Sequence, residues 1–251
     1  MLTDEELLRY SRQILLQQVD IDGQMKLKNS RVLIVGLGGL GSPVALYLAA
    51  AGVGELHLAD FDSVDLTNLQ RQIIHDTANV GESKVDSALR RLRLINPHLK
   101  LVAHRSVLDA DSLADAVAAA DLVLDCCDNF ATREAVNKAC VAARKPLVSG
   151  AAIRLEGQLS VFDSRQSASP CYHCLYGHGS EEELTCSEAG VIGPLVGVIG
   201  SLQALEALKV LAGFGEPLVG RLLLVDASST RFRELRVKRD PACSVCGTGH
   251  E

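Results

Sequence analysis

A glycine-rich loop is the first part of the sequence whose residue types indicate chemistry. Gly36, Gly38 and Gly41 have G-x-G-x-x-G spacing, with an additional Gly39 between them, directly after a short apolar run. Such glycines let backbone N–H groups approach a phosphate at the positive N-terminus of a helix. Asp60 comes about 20 residues later, where a carboxylate can bind the hydroxyls of a ribose. The pattern predicts an adenine-nucleotide site, and on its own it leaves open NAD, ATP and a tight turn without a ligand.

The residues after Asp60 favour a nucleotide with more charge than NAD. Asn68, Arg71 and Gln72 lie close together in the sequence, and Lys84 follows. A triphosphate attacked by a carboxylate requires cations and polar groups that offset the repulsion between two anions. These four side chains are candidates for that task. The alternative is that Arg71 and Lys84 are solvated surface charges.

A second polar pair, Asp128 and Asn129, follows another apolar run. If that run is a parallel strand, the pair lies at the carboxyl edge of the sheet, where open α/β folds bind ligands. Asp128 is then a candidate Mg²⁺ ligand that bridges to phosphates. The alternative is that Asp128 caps the next helix.

Cysteines form a third set, and four of the eight lie in two C-x-x-C pairs: Cys171 with Cys174, and Cys243 with Cys246. Two such pairs predict a tetrahedral zinc site that is structural because no coordination position stays open. One pair alone could instead be a redox pair, and His173 is expected to be a bystander.

The other four cysteines divide into two groups. Cys126, Cys127 and Cys140 adjoin apolar positions and are expected in the core. Cys186 lies in a polar, acidic stretch, where an exposed thiol is a possible nucleophile although its acidic neighbours oppose thiolate formation.

The elements that must position these residues alternate along the chain. Apolar runs predict strands at 31–36, 55–60, 99–104, 121–125 and 146–149, and helical patterns at 39–51, 82–95, 109–119 and 132–143 lie between them. This alternation predicts an α/β fold with a doubly wound, mostly parallel, Rossmann-like sheet. A helix at 4–18 precedes it, and candidate strands at 157–162, 221–226 and 231–238 predict an antiparallel C-terminal extension that carries the Cys₄ site.

Composition limits the function classes. The net charge of −6 argues against a nucleic-acid binder, because no broad basic surface is available. The N-terminus lacks the pattern of a secretory signal, and the apolar stretch 189–213 is interrupted by charged and polar residues. We therefore expect that stretch to be a core helix rather than a membrane span, in a cytoplasmic protein.

Taken together, the ordered motifs resemble the MoeB/ThiF/HesA family, which shares its adenylation domain with ubiquitin-activating enzymes. The motifs that carry the resemblance are Arg9-Tyr-Ser-Arg12-Gln13, the glycine loop, Asn68-Leu-Gln-Arg-Gln72, Asp125-Cys-Cys-Asp-Asn129 and the two cysteine pairs. The resemblance covers nearly the whole chain. It implies one adenylation domain over 1–251, with a helical segment 1–30, a nucleotide-binding half 31–150, an antiparallel, zinc-bearing half 151–251 and no rhodanese domain.

The resemblance also implies roles for residues. Arg12, Arg71, Lys84 and Asp128 would be catalytic, with Asp128 holding Mg²⁺ and Arg12 reaching the triphosphate of the other subunit in a homodimer. The ATP site would comprise Gly36, Gly38, Gly39, Gly41, Asp60, Asp62, Thr67, Asn68, Leu69, Gln70, Arg71, Gln72, Lys84, Asp128 and Asn129.

The implied reaction is ATP-dependent adenylylation of the C-terminal Gly-Gly carboxylate of a small ubiquitin-like sulfur carrier, with a separate sulfur donor. Segments 149–158 and 184–190 are similar to members that serve molybdopterin synthase in molybdenum cofactor biosynthesis, whereas 10–15 and 46–49 are also similar to thiamine-pathway members. The carrier therefore stays open. Two other functions also remain as alternatives: an NAD-dependent dehydrogenase, and a zinc-stabilised scaffold that binds the carrier without consuming ATP.

Overall fold

Short apolar runs form the centre of the fold, and a computed structural model describes residues 1–177 and 189–247 of the chain. Five parallel strands are buried to different degrees: the middle strands β1 and β4 are almost entirely buried, whereas β3 at the edge is only half-buried. The five strands are β1 (Arg31–Val35), β2 (Glu55–Ala59), β3 (Lys100–His104), β4 (Leu122–Asp125) and β5 (Leu147–Ile153). Burial on both faces suits parallel strands that carry helices on each side.

Helices cover both faces of this sheet. The described helices are α1 (Asp4–Arg9), α2 (Ser11–Ile14), α3 (Asp20–Asn29), α4 (Gly41–Ala51), α5 (Lys84–Ile95), α6 (Ala110–Ala119), α7 (Phe130–Ala142), α8 (Tyr172–Tyr176) and α9 (Gly193–Ala212). One apolar cluster packs α4, α5 and α9 against one face, and a second packs α6 and α7 against the other. The doubly wound arrangement predicted from the alternation is therefore confirmed.

The C-terminal part extends the same sheet with antiparallel strands. These are β6 (Glu156–Phe162), β7 (Arg221–Asp226) and β8 (Arg231–Arg236), and the strand order is β3-β2-β1-β4-β5-β6-β7-β8. All pairings from β3 to β5 are parallel, and those from β5 to β8 are antiparallel. The predicted antiparallel extension is confirmed, with β8 two residues shorter than expected.

The N-terminal segment differs from the single helix predicted at 4–18. The helix breaks at Tyr10, whose ring is buried against Gly52 and whose hydroxyl accepts a hydrogen bond from Asn96 Nδ2 at 2.7 Å. A further helix, α3, fills residues for which no helix was predicted. At the N-terminal end of α1, the capping box of Thr3 and Glu6 is present as expected.

Helix α9 is long and apolar enough to cross a membrane by length and composition alone. It packs on β5, β6, α3 and α4, and half of its most apolar window is buried inside the protein. The interpretation of this stretch as a core helix agrees with that packing.

The strand order places the candidate site. The chain moves from β1 outward to β2 and β3, and then returns to the other side of β1 with β4 and β5. Parallel sheets bind ligands at the carboxyl ends of the strands where this direction reverses. The loops after β1 and β4 therefore border the expected crevice.

Candidate nucleotide site and cysteine cluster

The glycine loop follows β1 and is too tightly packed for most other residues. Gly36 has φ of +94°, and a Cβ there would lie 2.7 Å from the Cys126 carbonyl oxygen. A Cβ on Gly41 would lie 1.9 Å from the Gly36 carbonyl oxygen, and one on Gly39 would lie 2.9 Å from Val196 Cγ2. Gly38 meets only Gln72 Nε2, at 3.5 Å. Gly36 and Gly41 thus shape the turn, whereas Gly38 faces open space in front of α4.

Asp60, at the end of β2, is fixed by this loop. Its carboxylate accepts hydrogen bonds from Leu37 N–H at 2.7 Å and from Asp62 N–H at 2.9 Å. Burial raises the pKa of Asp60, and the nearby Lys84 ammonium opposes that rise. The carboxylate is therefore oriented by backbone donors at the edge of a groove, as a ribose-binding carboxylate must be.

The two predicted cations, Arg71 and Lys84, line the same groove as Asp60. Lys84 is 5% exposed, and its Nζ lies 2.8 Å from Asp62 Oδ2, so it is not a solvated surface charge. Arg71 is half-buried, and its guanidinium donates to the Thr67 carbonyl oxygen at 3.2 Å and to Asn68 Oδ1 at 3.1 Å. Both cations are thus held in place before any anion binds.

Polar groups without protein partners also border the groove. The Gln72 side chain is buried, and its Oε1 has no hydrogen-bond partner among the described residues. Asp128 is exposed, and its carboxylate forms no hydrogen bond or ion pair with any residue in 1–177 or 189–247. The capping role considered for Asp128 belongs to Asn129, whose Oδ1 accepts from Thr132 N–H at 2.9 Å at the start of α7. The Asp128 oxygens are therefore available to a cation.

These groups line one groove of about 380 Å³. The predicted residues that line it are Gly36, Gly38, Gly39, Asp60, Asp62, Arg71, Gln72, Lys84, Asp128 and Asn129. Gly41, Thr67, Asn68, Leu69 and Gln70 do not line it. Thr67 and Asn68 instead hold Arg71, and Gly41 closes the turn. Arg12 lies exposed on α2 and is not among the lining residues of its own chain.

Sequence reasoning missed the apolar side of the groove. Phe61, Val107, Leu108, Leu113 and Ala135 line it together with the polar groups. Val107 and Leu108 follow β3 at the carboxyl edge of the sheet. Ligands of open α/β folds bind at this edge, so the argument that located Asp128 could also have found these two residues. Apolar surface beside a ribose-binding carboxylate suits a flat nucleobase.

A buried ion pair beneath the groove was also missed. Asp125 is completely buried and accepts hydrogen bonds from Ser149 Oγ at 2.7 Å and Cys127 N–H at 3.0 Å. Arg133 contacts the Asp125 carboxylate and donates to the Gly150 and Cys127 carbonyl oxygens. The pKa of Arg133 is raised: burial opposes its charge, but the Asp125 carboxylate outweighs that effect. The pair fixes the loop that carries Asp128.

His75 lies behind the glycine loop. Its Nε2 is 3.2 Å from the Leu37 carbonyl oxygen, and its Nδ1 is 2.8 Å from Ser87 Oγ. A carbonyl oxygen only accepts, so Nε2 carries the proton and Nδ1 accepts from the Ser87 hydroxyl. Burial lowers the pKa of His75 to about 4, so the ring is neutral at pH 7.

The two cysteine pairs come together, as the spacing predicted. The four sulfurs lie within 4.8 Å of one another, with Cys171 and Cys243 at 3.7 Å, Cys174 and Cys246 at 3.4 Å, and Cys171 and Cys174 at 3.9 Å. Zn–S bonds of about 2.3 Å in a tetrahedron place sulfurs roughly 3.8 Å apart. The donor set and its spacing therefore fit a structural zinc ion.

His173 and the remaining cysteines take the places expected of them, where the structure describes them. His173 contacts Glu134 Oε1 at 2.5 Å and Ser244 Oγ at 2.9 Å, and it is outside the sulfur cluster. The thiols of Cys126, Cys127 and Cys140 are buried, and burial raises the pKa of each. Cys186, the possible nucleophile, lies outside the described residues.

The fold is a doubly wound α/β fold, and its groove at the carboxyl edge of the sheet carries two fixed cations beside a glycine-rich loop. The family model for the ThiF family matches residues 10–245, so the chain belongs to that family, and it is an adenylyltransferase.

Named relatives cover nearly the whole chain. The molybdopterin-synthase adenylyltransferase of Escherichia coli K12 is 56% identical over 246 residues, which cover 98% of each chain. The sulfur carrier protein ThiS adenylyltransferase of the same organism is 50% identical, over 98% of this chain and 97% of that one. A crystal structure of E. coli MccB with ATP is 26% identical with a TM-score of 0.82, over 95% of this chain and 73% of that one.

Proposed function

We propose that this protein uses ATP to adenylylate the C-terminal Gly-Gly carboxylate of a small ubiquitin-like sulfur carrier. The observation that carries the proposal is the groove itself. Two fixed cations, Arg71 and Lys84, lie in the same groove as the glycine loop, together with the oriented Asp60 carboxylate and an apolar wall. The names of the relatives, which include adenylyltransferases for molybdopterin synthase and for ThiS, support the same reaction.

In the proposed reaction, a carrier carboxylate oxygen attacks the α-phosphorus of ATP. A P–O bond forms to the carrier, the bond between the α-phosphorus and the bridging oxygen breaks, and pyrophosphate leaves with the electron pair. The carboxylate is already ionised at pH 7, so no general base is required. The enzyme's contribution is alignment and charge stabilisation, which the groove's Arg, Lys and amide groups are suited to give.

Each side chain has a proposed position along the nucleotide. Asp60 binds the ribose hydroxyls, the apolar wall receives the base, and the glycine loop receives phosphates at the start of α4. Arg71 and Lys84 stabilise the leaving pyrophosphate, and Gln72 uses its unpaired Oε1 toward a donor on the substrate. A Mg²⁺ ion on the free carboxylate of Asp128 would offset phosphate charge.

Arg12 has its proposed role in a homodimer. It is exposed on α2, and its guanidinium makes no hydrogen bond or ion pair with any described residue. We propose that it reaches the triphosphate in the partner subunit's groove. Asn68, Thr67, Leu69 and Gln70 complete the segment that positions Arg71.

The carrier of molybdopterin synthase is the proposed substrate, and the thiamine-pathway carrier is the second candidate. The higher identity to the E. coli molybdopterin-synthase adenylyltransferase, 56% against 50% for the ThiS adenylyltransferase, supports the first candidate. We propose that the protein acts in the cytoplasm and that a separate donor supplies the sulfur. The Cys₄ site would hold structural zinc. One adenylation domain over 1–251 would carry the whole activity.

ATP–pyrophosphate exchange with each candidate carrier tests the proposal. Zinc-loaded protein, Mg²⁺, ATP and one carrier are incubated with labelled pyrophosphate, and a carrier lacking its terminal glycine is the matched control. Label in ATP that appears only with the intact molybdopterin-synthase carrier supports both reaction and pathway. Exchange with the thiamine carrier alone would overturn the pathway, and no exchange with either would favour the scaffold.

A further inference from the structure

A second pocket lies on the opposite side of α7 from the nucleotide groove, next to the cysteine cluster. It has a volume of about 170 Å³, well above the roughly 10–15 Å³ that one water requires. The end of α7 and the segment after β6 form its walls, and its polar lining includes Asn137, Arg144, Lys145, Ser164 and Arg239. Neither the proposed adenylylation nor the zinc site uses it.

Two buried polar groups at this pocket lack partners. Asn137 is 1% exposed, and its Oδ1 accepts from Tyr172 N–H at 2.9 Å, which identifies Nδ2 as the donor end. Neither Asn137 Nδ2 nor Ser164 Oγ has a hydrogen-bond partner among the described residues. Buried donors without partners are costly, so they indicate a ligand or ordered water that accepts from them.

The charge of the lining is positive. Arg144 is exposed and Lys145 is half-buried, and the side chains of both form no hydrogen bond or ion pair within the described part of the chain. No Asp or Glu from that part lines the pocket. Arg239 is held by the carbonyl oxygens of Ser167 and Cys246. The pocket thus combines two unpaired cations, one fixed cation and two unpaired hydroxyl or amide groups.

The backbone at Arg144 adds a separate observation. Its φ is +52°, in the left-handed region just after α7, where helices usually place glycine or asparagine. A long cationic side chain at a position that favours glycine strains the backbone. The strain indicates that the Arg144 side chain has a role other than ending the helix.

A simpler account is that these cations offset the charge of the cysteine cluster, because Cys171 and Cys246 also line the pocket. Zn²⁺ with four thiolates carries two negative charges, fewer than the three cations. That account also leaves the Asn137 and Ser164 groups without acceptors.

We propose that this pocket binds a compact tetrahedral oxyanion, as the free phosphate ion or as the phosphoryl group of a phosphomonoester. Arg144 and Lys145 would pair with its charge, and Asn137 Nδ2 and Ser164 Oγ would donate to its oxygens.

The test measures the thermal midpoint of the zinc-loaded protein against inorganic phosphate at constant ionic strength. Phosphate should raise the midpoint of the wild-type protein, because an ion that binds only the folded state stabilises it. Arg144→Gly relieves the left-handed backbone, so its midpoint without phosphate should not fall, yet most of the phosphate-induced rise should be lost. Lys145→Ala should lose the rise as well. Lys138→Ala, an exposed lysine on α7 outside the pocket, should keep it.

Arg71→Ala removes a cation of the nucleotide groove and tests whether the phosphate-induced rise comes from that groove instead of the second pocket. If the second pocket binds phosphate, Arg71→Ala keeps a rise that Arg144→Gly removes. A rise lost in Arg71→Ala and kept in Arg144→Gly, or no rise in wild type, would overturn the proposal. Replacing inorganic phosphate by O-phosphoserine distinguishes the two forms of the proposed ligand. An equal rise in the thermal midpoint supports a phosphomonoester, and a rise with inorganic phosphate alone supports the free ion.

Discussion

At the scale of single residues, the proposed chemistry depends on cations that are held before substrate arrives. Lys84 is buried against Asp62, and Arg71 is bonded to Thr67 and Asn68, so neither has to be ordered when a triphosphate binds. Preorganised charges of this kind stabilise developing negative charge more than mobile ones do. Arg12 is different, because within the described chain nothing holds its side chain.

We predict that Arg12→Ala nearly abolishes adenylylation and leaves stability unchanged within about 0.5 kcal/mol, since exposed side chains without contacts contribute little to folding. An arginine supplied to a phosphoryl-transfer site from another subunit contributes about 10³–10⁵ in rate.

Mixed dimers give the control for Arg12. Arg12→Ala and Lys84→Ala subunits, each inactive alone, should regain part of the activity when mixed, because one groove in the mixed dimer has both residues. Exchange rates that stay at the level of the separate variants would remove the role between subunits.

His75 provides a prediction for pH. Burial lowers its pKa from the ordinary 6.5 to about 4, so between these values the unfolded chain binds a proton that the folded chain does not. Stability from the neutral ring is complete above pH 6.5 and is lost as pH falls toward 4, by up to about 3 kcal/mol. Urea unfolding at pH 7 and pH 4.5 measures this loss. His75→Gln, which can still donate to Leu37, should show a smaller loss, and an equal loss would assign the effect to other groups.

At the scale of elements, the glycines in the turn between β1 and α4 have different roles. Gly41→Ala would push a Cβ to 1.9 Å from the Gly36 carbonyl oxygen, whereas Gly38→Ala meets only Gln72 Nε2 at 3.5 Å. We predict that Gly41→Ala lowers the free energy of unfolding by at least about 1–3 kcal/mol. Gly38→Ala should fold normally and raise KM for ATP by about tenfold, since its Cβ occupies phosphate space. Thermal unfolding and exchange kinetics of both variants check this, and the reverse pattern would contradict it.

The cysteine cluster joins α8 to the C-terminal segment, which otherwise has few elements to pack against. We predict one zinc per chain by elemental analysis, and a Co²⁺-substituted protein with the charge-transfer bands of tetrahedral thiolate ligation. Cys174→Ser should lose the metal, and Cys140→Ala, a buried cysteine outside the cluster, should keep it. Metal retained by Cys174→Ser at wild-type affinity would argue against the four-sulfur site.

Sequence patterns located the elements with strong periodicity and missed those determined by tertiary contacts. The five parallel strands were predicted because each is an apolar run. The break at Tyr10 was not, because its cause is a contact with Gly52 and Asn96, which are distant in sequence. Helix α3 contains few apolar residues, so its sequence has a weak helical pattern, and it is positioned by packing against α2 and α9.

The same distinction holds for the site. Residue type and spacing predicted the glycines, Lys84 and the four cysteines of the two pairs. The apolar wall around Phe61 and Val107 was missed because exposed apolar residues have no local pattern that marks them as nucleobase contacts. Arg133 and Asp125 were missed as a pair because they meet only when α7 packs against β4.

At the scale of the whole molecule, one continuous sheet connects two kinds of structure. Its parallel half, β1 to β5, places the nucleotide groove at the reversal of strand order, and its antiparallel half leads to the cysteine cluster. The alternatives make different demands on this architecture: a dehydrogenase requires a hydride-transfer site beside the base, and a scaffold requires no ATP. Only the adenylylation account uses the fixed cations and the free Asp128 carboxylate together.

The most direct test of that account is the intact mass of the carrier after incubation with this protein, ATP and Mg²⁺ in the absence of a sulfur donor. The account predicts a carrier whose mass has increased by one AMP minus water, attached at the terminal carboxylate, with pyrophosphate released in equal amount. Incubation with the Arg71→Ala protein should give little of it. An unmodified carrier, or ATP converted to ADP and phosphate, would contradict the central claim.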